Sequence, residues 1–323
     1  VLVIPETAAR VAAFKAGEVD ITIIPNAFIQ DAVDSVGGEL VQLGEPRAQF
    51  FFFGGNYWSR VWKTTGDTVF PRPGFKPDDE HPWIGDPDDD ASMERARKVR
   101  LGMAMGIDRQ ALSDTIELGL NPPALTYTGL DRGSELFKDE YWIPFDPERG
   151  KALLAEAGFP TFKVQVWVNP ANPTAESAMA AAEMWRDNLG LDVALETTNY
   201  TARRPDLIGR SISIPFLHSR TVGDNTEPKG RLMSPELGGA NRGMELPDEI
   251  LDKTWYAGLG ATSAEQVIQG NIALQDFLSK WTLQAPTVQR INFAAVGTRV
   301  TEWKPQMDTF GTINSPERVL INQ

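Results

Sequence analysis

The 323-residue chain has no cysteine. Disulfides, thiolate metal sites and cysteine nucleophiles are thereby excluded together. Histidine is almost as scarce. His81 and His218 stand alone in separate segments, and no H-E-x-x-H pair exists to hold zinc. There is no G-x-S-x-G elbow, no S-x-x-K motif and no P-loop. No run of about 18 apolar residues occurs, so no membrane-spanning helix is expected. The densest apolar patch, "FFFFGGNYW", is far shorter. Basic residues are outnumbered, 31 against 44 acidic, for a net charge of −13. Such a surface repels phosphate backbones, so no nucleic-acid partner is expected, and it gives no attraction to anionic lipid.

What remains is ordinary globular material, 41% hydrophobic and 23% charged. That is enough for a sizeable core, and the length suggests two domains or lobes. Val1 opens inside a strand pattern, "VLVI", with no initiator Met, basic region or apolar leader. The expectation is a fragment or processed product lacking an N-terminal part. "TAARVAAFKAG" reads as a helix with Thr7 as its N-cap and Gly17 beyond its end. "VDITIIP" is the next strand, so a parallel βαβ unit is expected at the start. A second βαβ unit is expected from "KVQVWV", "TAESAMAAAEMWRDNLG" and "LDVALETT". "SISIPFL", Ser211 to Leu217, reads as a buried strand. "SAEQVIQGNIALQDFLSKW" reads as a long helix opening on a Ser263–Gln266 capping box. "QRINFAAVGTRVTEW" reads as one or two closing strands. Residues 58–91 are rich in Pro, Gly and Asp without hydrophobic period and read as a long loop or insertion.

Motif candidates mostly dissolve into structure. "GLGATS" follows a helical pattern and reads as a helix end. "GDPDDDAS" lacks the glycine and glutamate of a calcium loop and reads as acids at a helix start, where the dipole favours them. With 44 acids, a carboxylate pair for general acid–base work can be drawn anywhere and none is favoured. The polar loop "HSRTVGDNTEPKGRLMSP", His218 to Pro235, is the one that follows a strand exit, where open α/β sheets place ligands. An ordinary surface loop is its other reading.

"FDPERGKALLAEAGF", Phe145 to Phe159, is a well-punctuated helix with nothing reactive in it: Asp146 caps it, Pro147 opens it and Gly158 ends it. It resembles the "yDPekAkaLLaeAGf" segment of the extracytoplasmic solute-binding proteins of ABC importers, family 5, the dipeptide-, oligopeptide- and nickel-binding type. "IPETAARVAAFKAGEVDITIIP", "FFFFGGN" and "ARKVRLGMAMGIDRQAL" resemble that family's strand-helix-strand, crossing strand and "VRqAlayAiDReal" signature, in the same order. The resemblance covers most of the chain. The "PRPGFKPDDEHPWIGDPDDD" insertion departs from the peptide-binding members.

The resemblance implies an α/β, two-lobe periplasmic-binding-protein-like fold (type II, cluster C) with lobe I incomplete. Residues 1–48 would end lobe I, 49–100 would hold a crossing strand and the insertion, 101–288 would form lobe II, and 289–323 would return to lobe I. It implies a receptor with no catalysis and no cofactor. Its partners would be a peptide or other small solute and the permease subunits of an ABC transporter. It would be periplasmic or extracellular and membrane-associated, held only through the transporter or an N-terminal anchor. An oligosaccharide or metal-chelate receptor of the same fold stays open, as do a sensor and, from another class, a carboxylate-dependent hydrolase. In the peptide-binding members a "W-x-G-D-N-x-D-P"-like loop anchors the ligand's α-amino group through its Asp, and Asp224 matches that Asp. Its aromatic residue falls at Thr221 or Val222, which removes a stacking wall. The ligand-binding residues expected on this basis are Asp224, Asn225, Thr221, His218, Asn56 and Phe53.

Overall fold

A computed structural model describes residues 2–44, 46–59, 61, 65–67, 80–130, 132–170, 175–221, 228–234, 243–306 and 313–322. The chain divides into two compact units. Unit 1 is Val1–Arg47, Ser113–Pro122 and Gln289–Gln323, and unit 2 is Ala48–Leu112 and Pro123–Val288. The assignment of Ser113–Pro122 to unit 1 has no counterpart in the hydrophobic pattern.

Unit 1 departs from the expected parallel βαβ. "VLVI" forms no strand over its described residues. Helices α1 (Thr7–Lys15) and α2 (Asn26–Val36) alternate with β1 (Ile21–Thr22) and β2 (Glu39–Gln42). Strand β8 (Phe293–Val296) lies between β1 and β2 and pairs antiparallel with both. The core position belongs to β8 because Ala294, Ala295 and Val296 are buried, whereas β2 is largely half-exposed. Phe14, Ile24, Ile29, Ala32, Val33 and Ala295 form the apolar centre. The N-cap of α1 is Glu6, without a side-chain bond. Thr7 does not cap because its hydroxyl accepts from Arg10 Nη2 at 3.1 Å, while Arg10 Nη1 donates to the Ile4 and Pro5 carbonyls.

Unit 2 is built on a five-stranded sheet in the order β5 (Asp192–Thr197), β4 (Lys163–Val168), β6 (Pro215–Thr221), β3 (Arg47–Phe53) and β7 (Gln284–Arg290). Strand β3 (Arg47–Phe53) carries the four-phenylalanine run. Alternation sends Phe50 and Phe52 to one face, against Tyr127 and Phe216, and Phe51 and Phe53 to the other, against Trp185. Both faces are covered, so the strand reads as a continuous apolar run.

Helix α3 (Asp90–Met105) starts at Asp89, whose carboxylate accepts from the Ala91 and Ser92 amides. Part of the acidic run is therefore a helix cap. Three-residue α4 (Arg109–Ala111) starts on Asp108 in the same way. Helix α5 (Pro147–Glu156) has the expected Asp146 cap, with the Arg149 amide donating to it at 2.9 Å. α5 crosses α3 at two glycines. A Cβ at Gly102 would stand 2.8 Å from the Gly150 carbonyl oxygen, which is why the contact is built from residues without side chains. Strands β4 (Lys163–Val168) and β5 (Asp192–Thr197) flank α6 (Ala175–Leu189) and pair in parallel register, Lys163 with Asp192 through Val168 with Thr197. The second βαβ unit is thus present. Helix α7 (Tyr200–Ile208) then leads to β6 (Pro215–Thr221) on the other side of β4, again parallel to it.

Strand β6 begins four residues later than the pattern predicts. The carbonyls of Ile212 and Ser213 are taken by Tyr57 Oη at 3.0 Å and Trp83 Nε1 at 2.9 Å. Side chains satisfy what a ladder would otherwise bond, and the strand starts at Pro215, a first position where a missing N–H is tolerated. Helix α8 (Ala264–Trp281) has its Ser263 cap, but Gln266 Oε1 accepts from the Thr262 amide rather than from Ser263. The C-terminal pattern resolves into β7 (Gln284–Arg290), β8 and β9 (Val300–Glu302).

Among the buried charged groups of unit 2 are Arg109 and the pair Arg210–Glu245. Arg109 donates to the carbonyls of Pro286, Ala104 and Ile143 at 2.7, 2.9 and 3.1 Å. Burial pulls its pKa down to about 10, which still leaves it charged at neutral pH. Arg210 and Glu245 form an ion pair with side chains 4% and 0% exposed. Arg210 Nε lies 2.5 Å from Glu245 Oε1, and the better aligned hydrogen bond runs from Nη2 to Oε2 at 2.9 Å. The Ser59 amide donates to the same carboxylate at 3.0 Å, and the guanidinium lies 5.0 Å over the Tyr57 ring. Burial pushes the Glu245 carboxyl above the usual range, against the pull of Arg210.

Arg109→Lys keeps the charge but loses the planar fork, leaving carbonyls unpaired. We expect a loss of about 1–3 kcal/mol in urea unfolding. Glu245→Ala strands a buried guanidinium and should cost about 3–5 kcal/mol, whereas Arg210→Met with Glu245→Leu should recover most of it. A double variant as unstable as Glu245→Ala would show that the pair contributes by packing and not by charge.

Candidate functional site

The strand order places one crevice. From β4 the chain passes through α6 to β5 on one side, then through α7 to β6 on the other. Consecutive connections, leaving the carboxyl ends of β4 and β5, thus deliver the chain to opposite sides of β4. In an open α/β sheet that divergence opens a crevice, and ligands sit there.

An aromatic shelf lines this end of the sheet. Trp167, opposite Phe216 in the register, is buried. Its Nε1 donates to the Thr198 carbonyl at 2.7 Å, which locks the ring. Tyr200, at the start of α7, stacks on Trp167 with centroids 6.5 Å apart and an interplanar angle of 20°. His218 stands edge-on to Tyr200 and Phe216 at 6.1 and 6.4 Å. Tyr200 and His218 are half-buried, so they form the accessible upper layer of the shelf. At the adjacent β5 exit the charges are consumed internally. Glu196 accepts from Gln165, from Thr198 and, in a very close ion pair, from Arg203, which also donates to Asp206 at 2.9 Å.

The expected ligand residues divide into three groups. His218 lies on the shelf. Thr221 ends β6, so the backbone is carried to the crevice at that point. Asp224 and Asn225 fall outside the described residues, in the segment directly following β6. Phe53 and Asn56 are core residues, which corrects the expectation that they face a ligand. Phe53 is 0% exposed and stacks on Trp185. Asn56 is 1% exposed and its amide is fully used. Nδ2 donates to the Phe53 and Trp83 carbonyls, and Oδ1 accepts from the Gly85 amide and Arg100 Nη1. Its backbone carbonyl accepts from the Glu245 amide at 2.9 Å. The preceding Gly55 holds φ at 102°, a turn that glycine alone adopts without strain. "GGN" is a scaffold corner.

Sequence reasoning does not single out Trp167 or Tyr200. The signal was present in part: alternation in "KVQVWV" puts Trp167 on the face of Lys163 and Gln165, away from Val164 and Val166. What the pattern lacks is the β4–β6 adjacency that turns this face into the floor of a crevice.

Comparison with known proteins agrees with this architecture. Residues 1–231 match the model of the bacterial extracellular solute-binding proteins, family 5, middle. The heme-binding protein A of Haemophilus influenzae is 26% identical over 216 residues, 63% of this chain and 38% of that protein. The periplasmic oligopeptide-binding protein OppA of Escherichia coli is 30% identical over 106 residues, 30% of this chain and 19% of that protein. The fold is shared with DppA of Helicobacter pylori, solved with the peptide STSA. That match has a TM-score of 0.67 at 14% identity and covers 96% of this chain and 55% of that one. The murein tripeptide binding protein MppA of Escherichia coli gives a TM-score of 0.61 at 19% identity, over 93% and 53%. The chain therefore spans about half the length of these solved structures, and less of the curated relatives. With the α/β architecture above, the family match over residues 1–231 leads to one conclusion: this chain belongs to the bacterial extracellular solute-binding proteins of family 5.

Proposed function

We propose that the protein carrying this chain is an extracytoplasmic receptor that captures a peptide and presents it to the permease subunits of an ABC importer. The reading is carried by one observation. In a family 5 chain, the segment that follows β6 at the β4–β6 divergence reads "VGDNTEP". Capture needs no chemistry on the ligand, only enclosure and a few fixed polar contacts.

In this reading Asp224 takes the ligand's α-ammonium group. A desolvated ammonium needs a fixed counter-charge, and a charged hydrogen bond of that kind is worth about 1.5–3 kcal/mol. Asn225 and Thr221 supply further polar contacts. Tyr200 and His218 replace, from the shelf, part of the stacking wall that Thr221 and Val222 do not provide. Relatives in the comparisons are named for oligopeptide, murein tripeptide, glutathione and heme. The first three ligands are peptides, which favours that class here.

The test is calorimetry on the complete protein with a short peptide library. Asp224→Ala should weaken a peptide ligand by about 2 kcal/mol, and N-acetylation of the peptide should weaken it similarly. Unchanged affinity in both would remove the α-amine role, and no saturable binding by any peptide would remove the peptide reading.

A further inference from the structure

A second cavity lies on unit 2, at the opposite end of the same strands. Its volume is about 1110 Å³, and its lining includes Trp83, Phe159, Phe162, Arg95, Lys163 and Glu80. Lys163 is the first residue of β4, and Ile214, also in the lining, immediately precedes β6. The β4 exit is five residues further on, about 16 Å at the rise of a strand. The cavity is thus separate from the crevice at the strand exits.

Two features of the cavity bear on what it takes. The first is a fixed aromatic wall. Trp83 and Phe162 stand with centroids 6.0 Å apart at an interplanar angle of 43°, and His81 lies edge-on to Trp83 at 5.5 Å. Trp83 is 1% exposed, and its ring is set by the bond from Nε1 to the Ser213 carbonyl. Its backbone carbonyl accepts from Arg100 Nη1 at 2.6 Å. His81 Nε2 lies 3.3 Å from the hydroxyl of the same Ser213. Trp83 itself is buried, so the aromatic faces open to a ring are those of half-buried Phe159 and Phe162, and Trp83 holds Phe162 from within.

The second feature is charge. On α3, Arg97 pairs with Glu94 at 2.6 Å and Lys98 with Glu156 at 3.1 Å. Arg95, one turn away and facing the cavity, has no carboxylate partner among the described residues and rests 6.0 Å from the Phe159 ring. Lys163 also lacks one among the described residues. Two such cations opening on one cavity are unusual in a chain of net charge −13. Glu80 offsets one of them, so the lining is net positive among the described residues.

We propose that this cavity is a binding site for a small aromatic carboxylate, its ring against Phe159 and Phe162 and its carboxylate between Arg95 and Lys163. The volume matches small-molecule sites and has room for a fused two-ring acid. Three of the lining residues, Glu80, His81 and Trp83, come from the insertion that sets this chain apart from the peptide-binding pattern.

Calorimetric titration of the full chain with naphthylacetate, naphthylethanol and naphthylethylamine tests the site. The acid should bind saturably and at least tenfold more tightly than the alcohol or the amine. Arg95→Gln with Lys163→Gln, both at exposed positions, should weaken the acid at least tenfold at unchanged melting temperature, and Phe162→Ala should weaken it too. Asp224→Ala should leave it unaffected. No saturable binding of the acid, tighter binding of the amine, an unchanged affinity in the double variant, or a loss in Asp224→Ala would each overturn the proposal. None of these outcomes depends on whether peptides bind at the strand exits.

Discussion

One buried guanidinium organises unit 2. Arg100 is 0% exposed, and among the described residues its hydrogen bonds run to neutral acceptors. Nε donates to the Trp281 carbonyl at 2.9 Å, and Nη1 to the Trp83 carbonyl and to Asn56 Oδ1. Burial, with Arg97 nearby, draws its pKa down to about 9, so it remains a cation at neutral pH. A charge without a buried counter-ion is costly to bury, and neutral carbonyls compensate only if they are held in place. The surrounding structure meets that demand. Arg100 ties α3 to the end of α8, to the corner after β3 and to the loop that carries Trp83. Asn56 then relays the constraint to Met244 and Glu245, and Glu245 to Arg210.

This network explains where the sequence is readable and where it is not. Helices α3, α5, α6 and α8 and strands β4 and β5 are set by local signals: caps at Asp89, Asp146 and Ser263, helical apolar stripes, and strict alternation. They appear where the pattern puts them. Strand β6 slips because its forerunner's carbonyls are claimed by Tyr57 and Trp83, which lie 155 and 130 residues away. The expected first βαβ fails for a similar reason. Its partner strand β8 comes from the far end of the chain, and no periodicity near Val1 announces it. Arg100 and Arg109 sit in the most family-specific stretch of the sequence, yet charged residues in a helical pattern read as solvent-facing. Only their distant carbonyl partners reveal them as internal clips.

The candidate site was legible in the same uneven way. The polar, turn-rich segment after His218 does follow a strand, β6, while Asp224 itself lies outside the described residues. That Phe53 and Asn56 belong to the core could not be seen, because an apolar run ending in "GGN" suits both a cleft-lining strand and a buried corner. The choice between them depends on Trp185, Arg100 and Gly85, none of which is a sequence neighbour. The shelf of Trp167, Tyr200 and His218 needs the β4–β6 adjacency, a property of topology and not of any window.

The same sheet thus presents different chemistry at its two ends, and the difference follows from what covers it. On the face carrying Lys163, Gln165 and Trp167, the exit end is roofed by rings: Trp167 packs on Phe216 at 5.1 Å, and Tyr200 and His218 close over them. The entry end cannot be roofed by its own strands, since Lys163 and Gln165 are exposed there. Its aromatic wall is made by Phe159 and Phe162 with Trp83 packed on Phe162, and Trp83 stays in place because Arg100 and Ser213 hold its carbonyl and its indole. A buried charge on α3, Arg100, therefore helps fix the ring that packs on Phe162. The loop that carries Trp83 thus adds a ring to Phe159 and Phe162 at the entry end, beside Arg95 and Lys163, which have no carboxylate partner among the described residues.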